Sequence, residues 1–398
     1  MISRRDFLKR SSLIALAPAV PAFLARAARA AGPRRDGRVL VVIQLDGGND
    51  GINTVVPFKD EGYAKHRKAL RLPADRLVKL NDGLGLHPSL GDFGKLFEAG
   101  QLAVVQGVGY PNPNRSHFES MAVWHTARLD PEGRGDTGWL GRALDAARRP
   151  ADGTPASLFV GADAPPAALR GRKVAASALA RLEDFLLAPD DPRPAFGGAG
   201  EGDDVTAFVR RGVLDAYATA GRMAEVARAG GAPLRHPTTA LAERLGLVAR
   251  LLKAGSGARI FYTAQGGYDT HGGQEGVHPG LLADLSGAVK EFLDELAAAR
   301  LADRVAVLCF SEFGRRVEEN ASAGTDHGTA GPVFLAGPEV KGGLFGRTPR
   351  LLDLEDGDLK MGIDFRRVYA TVLEDWLSLP GEAALGARFD KLPLFGAG

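Results

Sequence analysis

The sequence predicts an α/β fold: a doubly wound, mostly parallel sheet with helices on both faces and an inserted helical section. Three observations predict it. Residues Arg38–Leu45 form a nearly unbroken Val/Leu/Ile run, the pattern of a parallel strand covered on both faces. Similar short apolar runs then alternate with helical patterns along the chain, the rhythm of strand–helix–strand units. Two stretches, Ala143–Pro155 and Ala188–Asp204, are rich in Pro, Gly, Ala and charge and break that rhythm. They read as surface loops, so residues 32–398 are expected to form one domain with a loop and helical insertion at about 143–255.

The N-terminal segment precedes this domain. Ser3-Arg4-Arg5-Asp6-Phe7-Leu8-Lys9 leads into an uncharged stretch from Ser11 to Leu24, diluted by Ser, Ala and Pro. A spanning helix needs about 20 strongly apolar residues, which this stretch lacks. Ala28-Arg29-Ala30 supplies the small-x-small pattern that a signal peptidase reads, so residues 1–31 are expected to be a twin-arginine (Tat) signal peptide. The Tat export machinery is then an expected partner, the expected location is periplasmic or secreted, and no stable membrane span is expected after cleavage.

That segment also distorts the charge balance. The chain has 50 Lys and Arg against 48 Asp and Glu; residues 1–31 hold six of the basic and one of the acidic residues, leaving 44 against 47. No basic patch or aromatic-interleaved stripe remains, so nucleic acid is not an expected partner. The one cysteine, Cys309, lies inside Val305-Ala306-Val307-Leu308-Cys309-Phe310 and reads as a buried strand residue with no disulfide available to it.

Along the domain the expected strands are Arg38–Leu45, Leu102–Val108, Ser157–Gly161, Arg259–Ala264, Arg304–Phe310 and Pro332–Ala336. The expected helices are Pro88–Ala99, His117–Ala127, Val205–Ala229, Thr238–Lys253, Pro279–Arg300 and Asp364–Leu377. In an open α/β sheet ligands bind beyond the carboxyl ends of the strands, so chemistry is sought just after each apolar run. Asp46 follows Leu45 and precedes Gly47-Gly48, which allow close backbone approach. Asp269 and His271, two apart within Gly266–Gly273, can face one cation. Glu312 follows the Val305–Phe310 run with Arg315 three residues on, where a guanidinium could neutralise an anionic substrate. Asp326 and His327 stand between glycines ahead of the last strand.

Each of these has a plainer reading as a turn, cap or surface pair. Together, Asp46, Asp269, His271, Glu312, Asp326 and His327 offer a mixed oxygen and nitrogen set, suited to Zn²⁺ or Mn²⁺ and on its oxygen-rich side to Mg²⁺ or Ca²⁺. Six donors exceed one tetrahedral site, so two neighbouring cations are expected. Ser116-x-x-Glu119 before an apolar run reads as a helix capping box. A serine at a helix N-terminus beside a cation is equally a candidate nucleophile, with the dipole favouring a bound anion.

The segments Leu45-Asp46-Gly47-Gly48-Asn49-Asp50-Gly51-Ile52-Asn53-Thr54, Asn114-Arg115-Ser116-His117-Phe118, Tyr268-Asp269-Thr270-His271-Gly272, Ser311-Glu312-Phe313-Gly314-Arg315 and Asp326-His327-Gly328 span nearly the whole domain in order. They resemble the DUF1501 family of Tat-exported proteins, a branch of the alkaline phosphatase-like (sulfatase-like) metalloenzyme superfamily. The resemblance implies an alkaline phosphatase-like fold, a metal-holding Asp46, a nucleophilic Ser116, and metal ligands at Asp269, His271, Glu312 and His327 with Asp326 adjacent. Two departures bear on the chemistry. Glu312-Phe313 stands where the superfamily often has Asp-His, and no Cys/Ser-x-Pro-x-Arg motif surrounds Ser116.

The leading expectation is an exported metal-dependent hydrolase of phosphate or related anionic esters, in which Ser116 attacks and Arg315 or Arg115 holds the anionic oxygens. The alternatives are a non-catalytic metal-binding module for a cell-surface polymer or protein partner, and a sulfate-ester hydrolase. The missing sulfatase motif disfavours the latter.

Overall fold

In a computed structural model the chain is described over residues 37–147, 155–174, 176–180 and 239–396. The signal segment, the loop Ala188–Asp204 and the expected helix Val205–Ala229 lie outside the described residues. The strands of the central sheet and of the ribbon beside it are β1 (Val39–Leu45), β2 (Leu102–Gly109), β3 (Ser157–Val160), β4 (Ser177–Leu179), β5 (Ile260–Gln265), β6 (Val305–Ser311), β7 (Arg315–Glu319), β8 (Thr325–His327), β9 (Gly331–Ala336), β10 (Gly343–Phe345) and β11 (Ile363–Asp364). The central sheet runs β10-β2-β9-β6-β1-β5-β3-β4, with β11 also alongside β2.

The apolar run that opens the domain becomes the middle of this sheet. All seven residues of β1 are buried, and it pairs in parallel with β5 on one side and β6 on the other. Its alternate side chains enter two cores. Val39, Val41 and Ile43 face the helices Gly91–Glu98, Ala240–Lys253 and Gln274–Ala298, while Leu40 and Val42 face His117–Thr126, Trp139–Ala146 and Phe365–Thr371. Covering both faces is what the unbroken apolar pattern demands, since neither face of such a strand tolerates water. The fold is thus the expected mostly parallel sheet with helices on both faces.

One strand reverses. β9 pairs antiparallel to both β2 and β6, so its amino end lies at the edge where the other strands have their carboxyl ends. That reversal brings the segment carrying Asp326 and His327, just before β9, to the edge where the loops after β1, β5 and β6 emerge. A small β7–β8 ribbon carries the chain between them.

Several element boundaries differ from expectation. Residues 143–146, expected as loop, close a helix, Trp139–Ala146, whose Trp139, Leu140, Ala143 and Leu144 are buried in the second core. The helix expected from Pro279 begins at Gln274 and carries Pro279 inside it, because Gln274 and His278 are held in the buried interior from the first turns. The helix expected to Leu377 is α-helical over Phe365–Thr371 and continues as a π-helical turn over Val372–Trp376. Cys309 is buried in β6, and burial pushes its thiol pKa up. Among the described residues no helix is long and apolar enough to cross a membrane.

Candidate metal and anion site

Two glycines open the site. Gly47 and Gly48 follow β1 with φ of +117° and +75°, and a Cβ on Gly47 would stand 2.5 Å from the Asp269 nitrogen, so only glycine lets the two loops close on each other. Arg315 locks that approach. Its buried guanidinium donates to the carbonyls of Gly47, Gly48 (2.6 Å), Tyr268 (3.1 Å) and Thr325 (2.7 Å), and to Asp269 Oδ1 (2.6 Å). With five acceptors around it and almost no exposure, Arg315 holds the site together and has no free edge for a substrate.

Asp269, half-exposed, is the point on which three imidazoles converge. His271 Nε2 lies 3.1 Å, His327 Nε2 3.2 Å and His117 Nε2 3.5 Å from its Oδ1. His271 Nε2 and His327 Nε2 are 2.9 Å apart. Behind each ring, Nδ1 has an oxygen: Glu312 Oε1 at 2.8 Å for His117, Asp326 Oδ1 at 3.0 Å for His271, and the Arg115 carbonyl at 2.7 Å for His327. Those oxygens only accept, so they assign the proton to Nδ1 and turn the Nε2 lone pair inward. Three imidazole lone pairs therefore face one carboxylate oxygen without a shared proton. Such a cluster asks for a positive charge, and carboxylate-backed imidazoles are the usual way metal ligands are oriented.

The charges agree. Burial would raise the Asp269 carboxyl, yet the hydrogen bond from Arg315, foremost among its neighbours, brings it down to about 2. The hydrogen bond to Glu312 raises His117 against the opposing effect of burial. His117 Nε2 is a buried atom without a hydrogen-bond partner, which is the vacancy in bonding that a cation would satisfy. His117, Asp269 and His327 each offer a ligand atom, all within 4.8 Å of one another. In a tetrahedral site with bonds of about 2.0–2.1 Å, neighbouring ligand atoms stand about 3.4 Å apart. The distances to Asp269 Oδ1 bracket that spacing.

The expected site residues fall into distinct positions. Asp269, His271 and His327 meet at the centre. Glu312 is wholly buried, its oxygens accepting from Gly47 N (2.9 Å), His117 and Ser311 Oγ (2.9 Å), so it stands behind an imidazole. Asp326 stands behind His271 and also accepts from Asn320 Nδ2 at 3.1 Å. Asp46 is exposed at the end of β1, with Gln44 Nε2 3.4 Å from its Oδ1; burial of part of the carboxyl and the nearby Glu312 charge raise its pKa.

Ser116 caps the helix His117–Thr126 in position only. Its side chain makes no capping bond, and Glu119, the expected partner of a capping box, instead accepts from Arg134 at 2.6 Å. The exposed hydroxyl is flanked by Arg115, whose carbonyl holds His327, and by His117 itself. Arg115 directs its guanidinium to Asp358 (Nε to Oδ2, 2.9 Å) and keeps part of its side chain exposed.

His117 is the functional residue that motif reading misses. In the sequence it is one more residue of an apparent capping box, and its role depends on Glu312, 195 residues away. The available signal was its place: a histidine at the first turn of the helix after β2.

Residues 37–385 match the family described as "Protein of unknown function (DUF1501)". No curated protein matches in sequence. In backbone course the chain is similar to the PsFucS1 sulfatase from Pseudoalteromonas sp., at 9% identity, over 89% of this chain and 70% of that one, with a TM-score of 0.41. It is also similar to the lipoteichoic acid synthase LtaP from Listeria monocytogenes, at 11% identity, over 84% and 78%, with a TM-score of 0.37.

Proposed function

The chain belongs to the DUF1501 family, and from the geometry of its site we propose that it is a metal-dependent hydrolase of phosphate or related anionic esters. One observation carries the reading: three imidazole Nε2 atoms lie within 3.1–3.5 Å of one carboxylate oxygen, and one of those imidazoles, His117, follows Ser116, whose hydroxyl makes no capping bond, at a helix N-terminus. His117, Asp269, His271 and His327 would hold the cation. Three nitrogens and one carboxylate suit Zn²⁺ or Mn²⁺ better than Mg²⁺ or Ca²⁺, which favour oxygen. The second expected cation would have Asp46, exposed at the end of β1, as its carboxylate, since Glu312 is occupied behind His117. When bound, a divalent cation supplies Lewis acidity that offsets the charge developing on the ester oxygens.

The chain's own residues do the rest. Ser116 Oγ attacks phosphorus as the bond to the leaving oxygen breaks, and the serine proton ends on the departing alcohol. Water then cleaves the seryl ester, regenerating the hydroxyl. The helix N-terminal amides beside Ser116 and the exposed part of Arg115 favour the anion there. Arg315 and Glu312 act at one remove, the first by fixing Asp269 and the second by fixing His117.

Ser116→Ala tests the assignment, with steady-state kinetics on chromogenic phosphate mono- and diesters in Zn²⁺ or Mn²⁺. Turnover should fall by orders of magnitude, on the order of 10³ or more, while the thermal melt barely moves. Activity of the variant within about threefold of wild type rejects Ser116 as nucleophile, and a protein that binds metal yet turns over no ester would be the non-catalytic module.

The same proposal places the protein outside the cytoplasm, on the strength of Arg4-Arg5 and the segment after them. Replacing both arginines by lysine should leave the chain in the cytoplasm, its signal uncleaved; normal periplasmic accumulation of that variant contradicts export by this route.

A further inference from the structure

The turn that carries Ser116 has no burial of its own to place it. Residues 111–116, between the end of β2 and the helix His117–Thr126, are all exposed. A nucleophile needs firmer placement, since displacing a reacting group by about 1 Å costs about 10²-fold in rate. Arg115 supplies two ties, its guanidinium to Asp358 and its carbonyl to His327. A third runs through the interior.

Ser116 N donates to Asn114 Oδ1 (2.8 Å), Asn114 N to Tyr110 Oη (2.9 Å), Tyr110 Oη to Ser120 Oγ (3.0 Å), and Ser120 Oγ to the Glu312 carbonyl (2.6 Å). An amide N–H only donates and a carbonyl only accepts, so the two ends of this chain set both hydroxyl protons in one direction. Tyr110, Ser120 and Glu312 are buried, and the Tyr110 ring packs in the second core, edge-on to Phe365. Asn112, at φ +51° between Pro111 and Pro113, makes the bend that brings Asn114 back to Tyr110. From the far end the path returns to its start. Glu312 Oε1 holds His117 Nδ1 at 2.8 Å, and Ser120 N donates to the Ser116 carbonyl at 2.9 Å.

We propose that Tyr110 is a positioning residue for Ser116: its hydroxyl, through Asn114 on one side and Ser120 on the other, sets the turn of the nucleophile against the Glu312–His117 arm of the cation site. The proposal rests on the anionic-ester reading above and adds to it what keeps an exposed serine in a fixed place. Tyr110 touches no reacting group and acts only through Ser116.

The test uses the full chain in Zn²⁺ with the chromogenic phosphate esters, and Tyr110→Phe made both in wild type and in Ser116→Ala. Turnover should fall about 10–100-fold in the first background and no further in the second, because nothing is left to position once the Ser116 hydroxyl is gone. KM and Zn²⁺ affinity should stay within about twofold, as Ser120 bonds the Glu312 carbonyl and not its carboxylate. The Asn114 and Ser116 amides should exchange hydrogen about tenfold faster. Should Tyr110→Phe fail to fold, Asn114→Ala, at an exposed position, should give the same fall in turnover and free the Ser116 amide alone. Unchanged turnover, an equal fall in both backgrounds, or unchanged exchange at the two amides overturns the proposal. If wild type cleaves no ester, or Ser116→Ala matches it, the reading of Ser116 as nucleophile fails by itself. Exchange then decides alone: faster exchange at Asn114 and Ser116 in Tyr110→Phe upholds the tie from Tyr110 to the Ser116 turn, and unchanged exchange overturns it.

Discussion

Two carboxylates in this protein have the same depressed pKa and opposite surroundings. Asp50 and Asp269 are each held at about 2, against burial, by an arginine beside them. Asp50 is fully buried and closed. Arg67 meets both its oxygens, Gln274 Nε2 donates to Oδ2 at 2.5 Å, and Arg67 also donates to the carbonyls of Arg316 (2.9 Å) and Val317 (2.8 Å). Asp269 is half-exposed and open: one oxygen takes an Arg315 bond and then faces three lone pairs. A closed cluster is scaffold, because both carboxylate oxygens already have their donors. An open one is a site, because its acceptors outnumber its protons.

The two clusters are also joined. Gln274 Oε1 accepts from Thr270 Oγ1 (2.9 Å), the residue between Asp269 and His271, and from Thr325 Oγ1 (2.7 Å), the residue before Asp326 and His327. The closed cluster thereby sets the register of the open one. Breaking either should give different signatures.

Acid should act mainly on the scaffold. His278 donates to Asn49 Oδ1 at 2.9 Å and His87 Nδ1 accepts from Ser89 N at 3.0 Å; burial lowers each to about 4. Their folded pKa values lie below the unfolded value of 6.5, so as pH falls the unfolded chain takes up protons first. Stability should be flat above about pH 6.5 and fall between there and pH 4, by up to about 3 kcal/mol for each imidazole. Denaturant melts in chelator across that window check it. A flat profile from pH 7 to 4.5 contradicts it.

Next in size is Arg67→Met, which strands a buried charge at Asp50. The cost should be about 3–5 kcal/mol, read from the shift of the denaturation midpoint. A change under about 1 kcal/mol would mean the pair is not closed as described.

The smallest effect falls on the site. Glu312→Gln keeps the shape behind His117 and removes the charge, and should weaken Zn²⁺ binding by about 10–100-fold in chelator competition. An unchanged affinity would remove Glu312 from its orienting role.

The sequence shows the sheet more fully than the site. β1, β5 and β6 are apolar runs whose burial on both faces leaves a direct trace in composition. Asp269, His271 and His327 are legible because glycines frame them at strand ends. The division of labour is not legible, because it depends on contacts between distant segments. Glu312 reads as a ligand until Gly47 N, Ser311 and His117 are seen around it. Arg315 reads as an anion-binding arm until its five acceptors are known. His117 hides inside a capping motif whose bonds do not form. The antiparallel turn of β9, which delivers His327 to the site, leaves no mark in an apolar run of six residues.

The central claim is that His117, Asp269, His271 and His327 hold a divalent cation. Its most direct test is equilibrium dialysis of the folded chain against Zn²⁺ followed by elemental analysis, alongside Asp269→Ala and His117→Ala with melts confirming that both fold. The account predicts at least one tightly held zinc per chain in wild type, a raised melting temperature, and loss of both in each variant. A wild-type chain that folds yet retains no zinc, or variants that retain it in full, would contradict the account.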